Sequence, residues 1–385
     1  MSAKSSPSAA KGEARNLTVD TVVPYLLGRG LVSEADIVDG DLEVVDVGRR
    51  NENLKVIRKR DMSYVLKQPG AGEPETELTI RREAALYGYL QVARSAGRLR
   101  RFLPGLCGWD EDRCLLALEL VEGRQLWGHY AATVAPDFPA DAAAPLGVAL
   151  GTIHDFFRRA TDAPDWMTAL HAAPPWILSA HRPSPEVFSR LSPANLQLLG
   201  LLQKENAVVS GLDCLRRDWT PDTLIHNDLK GDNVLVVSDG DDPVSVRIVD
   251  WELVQIGDAA WDVGTVFRDF LDYWLLSVPL SSDLTPEQML DAAKIPLAKL
   301  HPAARAFWSG YCGAAGMGRD GLGAFLQRSL RFAGARLAQG AYELSSGTAN
   351  PSNFAIALLQ LSANVMANPE EASLTLFGIP MPWRR

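Results

Sequence analysis

Leu224-Ile-His-Asn-Asp-Leu-Lys-Gly-Asp-Asn-Val-Leu-Val-Val237 sets a polar loop between two apolar β-type runs. The loop follows the pattern H-x-D-x-x-x-x-N, which phosphoryl transfer requires. An aspartate meets the proton of an attacking hydroxyl, and an asparagine further along helps to hold a metal on the nucleotide phosphates. Here these are Asp228 and Asn233. A second acidic element, Val246-Arg-Ile-Val-Asp-Trp-Glu252, follows on a short β-branched run and delivers Asp250 as the principal Mg²⁺ ligand. The three residues of the loop alone would arise by accident in roughly one chain in fifty of this length. With the flanking strands, the strand-borne Asp250 and an upstream lysine strand, accident falls well below ~1%.

Working outward, Ser63-Tyr-Val-Leu-Lys67 ends a strand-like run with a lysine able to reach α and β phosphates, although a surface lysine would look the same in sequence. Glu83 separates these readings. It shares the helical face of Ile80, Tyr87 and Leu90, so it points inward as an ion-pair partner must. Between two strand-like runs lies Val47-Gly-Arg-Arg-Asn-Glu-Asn-Leu-Lys-Val56, which carries one glycine and not a G-x-G-x-x-G set. Arg49, Arg50 and Lys55 either contact phosphates through their side chains or form a solvated basic turn. Lys230, two residues past Asp228, either stabilises the transferred phosphate or faces solvent. His226 is read as a brace for the loop rather than a chemical participant. Asp262 is either a cap for the loop's amides or an ordinary helix N-cap.

The 385 residues are enough for two lobes. Residues 1–16 are rich in Ser, Ala, Lys and Gly and too poor in apolar side chains to order themselves, so they read as a disordered tail. Residues 17–121 read as a small antiparallel β-rich lobe with one helix near Thr79 to Ala93. Leu42 to Val47, Leu54 to Ile57, Ser63 to Lys67 and Cys114 to Val121 are its strands, and Glu122-Gly123 breaks the last one at a hinge. Residues 122–385 read as a large, mainly helical lobe whose only strands bracket the catalytic loop, with a helical insertion at about 163–220 that in a kinase-like fold would cover the acceptor. Ser238 to Pro243 is read as a hairpin tip rather than a metal loop. The fold class is therefore α+β and two-lobed. A net charge of −9 argues against nucleic acid. No apolar run reaches the length of a membrane span, and a cytoplasmic location is expected. The four scattered cysteines suggest neither zinc nor disulfides.

The chain resembles the aminoglycoside phosphotransferase and choline kinase family, a branch of the protein-kinase-like fold. The resemblance runs through Arg49-Arg-Asn-Glu-Asn53, the Lys67 strand, Arg82-Glu-Ala84, Leu118-Glu-Leu-Val-Glu-Gly123 and Leu150-Gly-Thr-Ile-His154. It continues in the His226 to Asn233 loop, Asp250-Trp-Glu252, Gly257-Asp258 and Trp261-Asp262. It implies ATP, or sometimes GTP, as donor, two Mg²⁺ ions and a hydroxyl acceptor on a small molecule. It also adds Asn53 and the Glu119 to Val121 backbone to the nucleotide-binding residues. Two features depart from the small-molecule members, which commonly carry Gly after the loop histidine. Asn227 stands there in this chain, and Asp228-Leu-Lys230 is similar to the D-L-K of serine/threonine protein kinases. Together with Arg49-Arg50 and Val65-Leu-Lys-Gln-Pro69, this is similar to kinase components of class V lanthipeptide and thioamitide dehydratases. Those phosphorylate Ser/Thr of a precursor peptide for a separate lyase. A non-catalytic, kinase-like binding subunit is the remaining alternative. The complete set of Lys67, Asp228, Asn233 and Asp250 argues against it.

Overall fold

β-branched and aliphatic residues dominate Leu42–Asp46 (β1), Glu52–Arg58 (β2) and Tyr64–Gln68 (β3), and all three are strands. The computed structural model describes residues 16–48, 52–70, 74–132, 138–160, 165–238, 243–281 and 283–381. It divides into two compact units, Met1–Arg94 with Pro104–Val121, and Ser95–Leu103 with Glu122–Arg385. The tail expected at residues 1–16 lies, apart from Asn16, outside the described residues.

In the first unit, β4 (Leu106–Asp110) and β5 (Leu115–Glu119) complete an antiparallel sheet of order β1-β2-β3-β5-β4. Two helices precede the sheet, α1 (Val19–Gly28) and α2 (Glu34–Val38), and α3 (Pro74–Val92) follows β3. The sequence reading foresaw only α3. Pro24 inside α1 lacks an amide to donate, which masks the helix, while the capping box at Thr18 starts it. α1 buries Val22 and Leu26 in one core with Leu54, Val56, Leu66 and Ala117. Each buried Val or Leu among them is worth about 1.5–3 kcal/mol against exposure. Side chains alternate along a strand, so Lys67 projects to the opposite face from Leu66 and there meets Glu83 of α3.

The second unit holds α4 (Leu126–Ala132), α5 (Ala140–Arg158), α6 (Asp165–Thr168), α7 (Pro185–Phe188), α8 (Pro193–Leu202) and α9 (Asn206–Arg217). After the catalytic loop come α10 (Ala259–Leu275), α11 (Pro286–Asp291), α12 (His301–Ala314), α13 (Arg319–Leu344), α14 (Asn353–Ala367) and α15 (Pro369–Thr375). Its strands are β6 (Arg124–Gln125), β7 (Thr223–Ile225), β8 (Val234–Val237), β9 (Ser245–Ile248) and β10 (Gln255–Gly257), in the sheets β6-β8-β9 and β10-β7. β6 and β10 were not foreseen; they are two- and three-residue segments that exist by pairing with β8 and β7. The tip between β8 and β9 lies mostly outside the described residues. Ser95–Leu103, read from sequence with the first lobe, packs in this unit. Ala96, Leu99 and Leu103 are buried, and Arg98 lies 3.6 Å from Asp155 of α5.

α5 and α12 meet backbone to backbone. A Cβ on Gly147 would stand 2.1 Å from the carbonyl oxygen of Phe307, and one on Gly310 2.5 Å from that of Ala144. α10 is buried along most of its length, with Trp261, Phe267 and Phe270 fully enclosed, and it also packs on α13. This central helix is the platform on which the loop from His226 to Asn233 is built.

Candidate active site

β7 leads into His226, and the chain then reverses at Asn227, whose φ of 69° lies in the left-handed region that non-glycine residues seldom adopt. Two bonds to one carboxylate hold the reversal. Asp262 of α10 accepts the amides of His226 at 2.7 Å and Asn227 at 3.0 Å. The N-cap of α10 is Asp258, which accepts from the Ala260 amide at 3.0 Å. Asp262 therefore belongs to the catalytic loop and is not the helix cap. Its own position is held by His154 of α5, with Nε2 3.4 Å from Asp262 Oδ2 and Nδ1 3.1 Å from the Tyr311 hydroxyl. The far end of the loop rests on the same helix. Asp269 accepts from the Gly231 amide and, at 3.0 Å, from Trp127 Nε1. A Cβ on Gly231 would sit 1.7 Å from Trp127 Cδ1, so only glycine fits beneath the indole.

His226 Nε2 faces the carbonyl oxygen of Val249 at 2.9 Å, which can only accept, so Nε2 carries the proton. Nδ1 then accepts from the Asp228 amide at 3.3 Å. The neutral ring, packed 4.7 Å from Trp251 between centroids, ties the loop to the segment that carries Asp250. Asn233 closes the arrangement. Its Nδ2 donates to the Asp228 carbonyl at 2.9 Å, which leaves Oδ1 as the oxygen to offer a ligand, and its carbonyl accepts from Val249 N–H at 2.9 Å. Because β8 and β9 pair Val234 with Ile248, Asn233 and Asp250 both leave the hairpin at its same end. Asp250 adopts φ 66° and ψ 56°, a left-handed geometry that turns the strand sharply into the next 3₁₀ turn.

Lys230 Nζ pairs with Asp228 Oδ2 at 2.8 Å. Burial pulls the Lys230 ammonium down, but the hydrogen bond and charge of Asp228, with the charges of Asp250 and Asp232, more than reverse this and raise its pKa. Lys230 thus stays cationic beside Asp228. Asp228 meets another cation, Arg336 of α13, whose Nη2 is 3.6 Å from Oδ1. Arg268 on α10 pairs with Asp269 and Asp272 close by. Burial pushes the Asp272 carboxyl up to about 7, with Arg268 opposing and Asp269 reinforcing the shift. The nearby cavity lined by Trp127, Tyr130, Gly231 and Asp269 has a volume of about 10 Å³. It has room for one water at most.

In the first unit, Lys67 Nζ reaches both oxygens of Glu83, at 3.0 and 2.8 Å, and the Glu83 side chain is fully buried. Asn53 is the register partner of Lys67 across β2 and β3, so the two side chains share a face. Asn53 Oδ1 is buried without a hydrogen-bond partner among the described residues. Arg49 and Arg50 lie outside the described residues. Glu119 clasps β4. Its amide donates to the Gly105 carbonyl at 2.9 Å, and its carboxylate accepts from Gly105 N–H at 2.8 Å. The Leu120 amide goes to Ser63 at 2.8 Å, and Val121 ends the unit.

Asp269, Arg268, Arg336 and Trp127 were not singled out from sequence. For Asp269 a signal existed, since it stands two helical turns beyond Asp262 and so on the same face of α10. Arg336 and Trp127 reach the loop from elements remote in sequence, and no spacing announces them.

Comparison with known proteins gives this arrangement a family. No curated protein matched the chain. Among solved structures, the microcompartment-associated aminopropanol kinase aligns with a TM-score of 0.52 at 15% identity, covering 94% of this chain and 99% of that one. The GDP complex of a point mutant of aminoglycoside 2'-phosphotransferase-IIIa aligns with a TM-score of 0.51 at 15% identity, covering 93% and 99%. At that identity the likeness is one of fold. The sequence model of the phosphotransferase enzyme family (APH) matches residues 41–284, which include Lys67, Glu83, Asp228, Asn233 and Asp250. The chain belongs to the phosphotransferase enzyme family, and its activity is ATP-dependent phosphoryl transfer to a hydroxyl.

Proposed function

We propose that the phosphoryl acceptor is a Ser or Thr hydroxyl of a ribosomally made precursor peptide, phosphorylated so that a separate lyase subunit can eliminate phosphate. The observation that carries this reading is the contact of Lys230 with Asp228 at 2.8 Å within Asp228-Leu229-Lys230, the arrangement that resembles peptide-phosphorylating enzymes. Asp228 Oδ2 accepts the proton of the hydroxyl as its oxygen bonds to the γ-phosphorus and the bond to the departing ADP oxygen breaks. Lys230 sits where it can neutralise charge on the transferred group. Lys67, held by Glu83, and Asn53 serve the nucleotide, with Arg49, Arg50 and the main chain from Glu119 to Val121 completing its contacts. Asn233 Oδ1 and the Asp250 carboxylate form an all-oxygen pair, which suits Mg²⁺ bound by few protein ligands together with phosphates. The ion would supply charge neutralisation on those phosphates. The nucleotide is ATP, and GTP is a second donor to test because a relative of the same fold holds GDP.

Small hydroxylated molecules are the second reading. Both solved relatives above are named for enzymes of amine-bearing acceptors, and a net charge of −9 suits a cationic acceptor. No helix among the described residues is long and apolar enough to cross a membrane, and the proposed setting is the cytoplasm. Intact-mass spectrometry tests the acceptor. The protein, Mg²⁺ and ATP are mixed with a pool of Ser/Thr-rich precursor peptides or a pool of hydroxyl-bearing antibiotics. Phosphate on a peptide with wild type, lost by at least ~10²-fold in Asp228→Asn, is the expected result. Phosphate on an antibiotic alone would overturn the peptide assignment in favour of the second reading.

A further inference from the structure

Asp228 is gripped from two sides by cations of different character. Lys230 holds Oδ2 from a side chain that is 40% exposed. Arg336 approaches Oδ1 from a side chain only 6% exposed. The guanidinium lies 5.2 Å from the centre of the Trp261 ring, and that ring's Nε1 donates to the Asn227 carbonyl at 3.4 Å. Arg336 is therefore clamped between an aromatic face and the catalytic carboxylate, and both surfaces belong to the loop or to the helix that anchors it. A charge in such a place is costly. Burial and the neighbouring Arg268 both pull the Arg336 pKa down, and Asp228, then Glu343 and Asp269, oppose them. An apolar side chain of similar size would fill the same space without that penalty, so the cation needs a reason beyond packing.

We infer that Arg336 is a positioning residue, a fixed counter-ion that holds Asp228 Oδ1 so that Oδ2 stays aimed at the acceptor hydroxyl when Lys230 turns to the transferred phosphate. The division of labour follows from the stems. Lysine is a point charge on a flexible chain and can exchange partners, whereas a buried, stacked guanidinium keeps its geometry. Without Arg336, departure of Lys230 would leave Asp228 with no direct ion-pair partner among the described residues. The inference rests on the reading of Asp228 as the residue that takes the acceptor's proton.

The experiment is a double-mutant cycle with water as the acceptor, read as Mg²⁺-dependent hydrolysis of ATP to ADP. The proteins are wild type, Asp228→Asn, Arg336→Met and the double variant, with Arg336→Lys and Arg336→Gln alongside. Arg336→Met is expected to lower kcat by at least ~10-fold with KM for ATP unchanged, and Arg336→Lys to recover more of it than Arg336→Gln. In the Asp228→Asn background, Arg336→Met should change kcat by less than about twofold. An equal drop in both backgrounds, or recovery by Gln as good as by Lys, would overturn the inference. Asp228→Asn with undiminished hydrolysis would instead remove the reading of Asp228 itself. Thermal unfolding of the same proteins decides the matter if hydrolysis is too slow to measure. Melting-temperature losses that fail to add support the Asp228–Arg336 pair, and losses that add overturn it.

Discussion

Replacing Asp262 by asparagine exchanges one carboxylate oxygen for an NH₂ and leaves the volume almost unchanged, yet it should dislodge the catalytic loop. The Asp262 side chain is fully buried, and its two oxygens accept the adjacent amides of His226 and Asn227 at 2.7 and 3.0 Å. Asparagine can satisfy only one of them, because its NH₂ faces a backbone N–H, donor against donor. The loss of one charge-assisted hydrogen bond and the stranding of one buried amide together cost about 3–5 kcal/mol. At roughly 2 °C per kcal/mol for a unit of this size, the melting temperature should fall by about 6–10 °C. Function should suffer more than stability. Asn227 is held at a φ of 69° by these very bonds, and once they loosen the backbone has reason to leave that conformation and carry Asp228 with it. A displacement near 1 Å at such a residue costs on the order of 10²-fold in turnover. Differential scanning calorimetry and steady-state kinetics on Asp262→Asn read both numbers. A melting temperature within about 2 °C of wild type, the shift expected for a loss of only ~1 kcal/mol, together with turnover within about twofold would refute the claim that this carboxylate sets the loop.

Other perturbations separate the two units and the ion. Lys67→Met removes the cation that bridges both oxygens of the fully buried Glu83 and should cost about 3–5 kcal/mol in urea unfolding, whereas Lys67→Met with Glu83→Leu should recover much of it without restoring nucleotide affinity. Equal losses in the single and double variants would contradict the buried-pair account. Asp250→Ala should abolish the Mg²⁺-dependent part of nucleotide binding in titration calorimetry, and binding that still responds to Mg²⁺ would remove Asp250 from the ligand set. Asp272 offers a pH test. Its carboxyl is raised to about 7, so the stability it gives is complete below its unfolded value near 3.8 and is lost as pH rises through about 7. The stability of Asp272→Asn relative to wild type should therefore rise as pH goes from about 4 to 8. A gain independent of pH would point to packing and not to charge.

What the sequence disclosed and what it withheld divide along one physical line. That Asn233 and Asp250 leave one hairpin at the same end, with Asn233 bonded to Asp228, was legible because the motif sets those side chains at fixed chain separations, and chain separation is what a sequence records. Glu83 was legible because helical periodicity turned it inward beside Ile80 and Tyr87, where only an opposite charge is tolerable. α1 was missed because Val22-Val23-Pro24 reads as anything but helix, and its formation is driven by burial of Val22 and Leu26 on a sheet that local propensity does not see. β4, with Gly108 at its centre and a register shift between Leu106 and Gly108, lacks the alternation that marks a strand and exists by pairing with β5. Arg336 and Trp127 were illegible for a deeper reason. They meet the loop only because α13 and α4 pack around it, so their roles are products of tertiary structure. The residues proposed to touch the reacting groups are thus written in local spacing, while those that hold them still are written in the packing of α10 against its neighbours. α10 joins the two kinds, since Asp262 and Asp269 on one helical face reach back to both ends of the loop. A carboxylate pair two turns apart on a buried helix following an H-x-D-x-x-x-x-N loop is accordingly a signal with a mechanism. Burial forbids unpaired carboxylates, and the nearest amides with no helix or sheet to bond to are those of the loop.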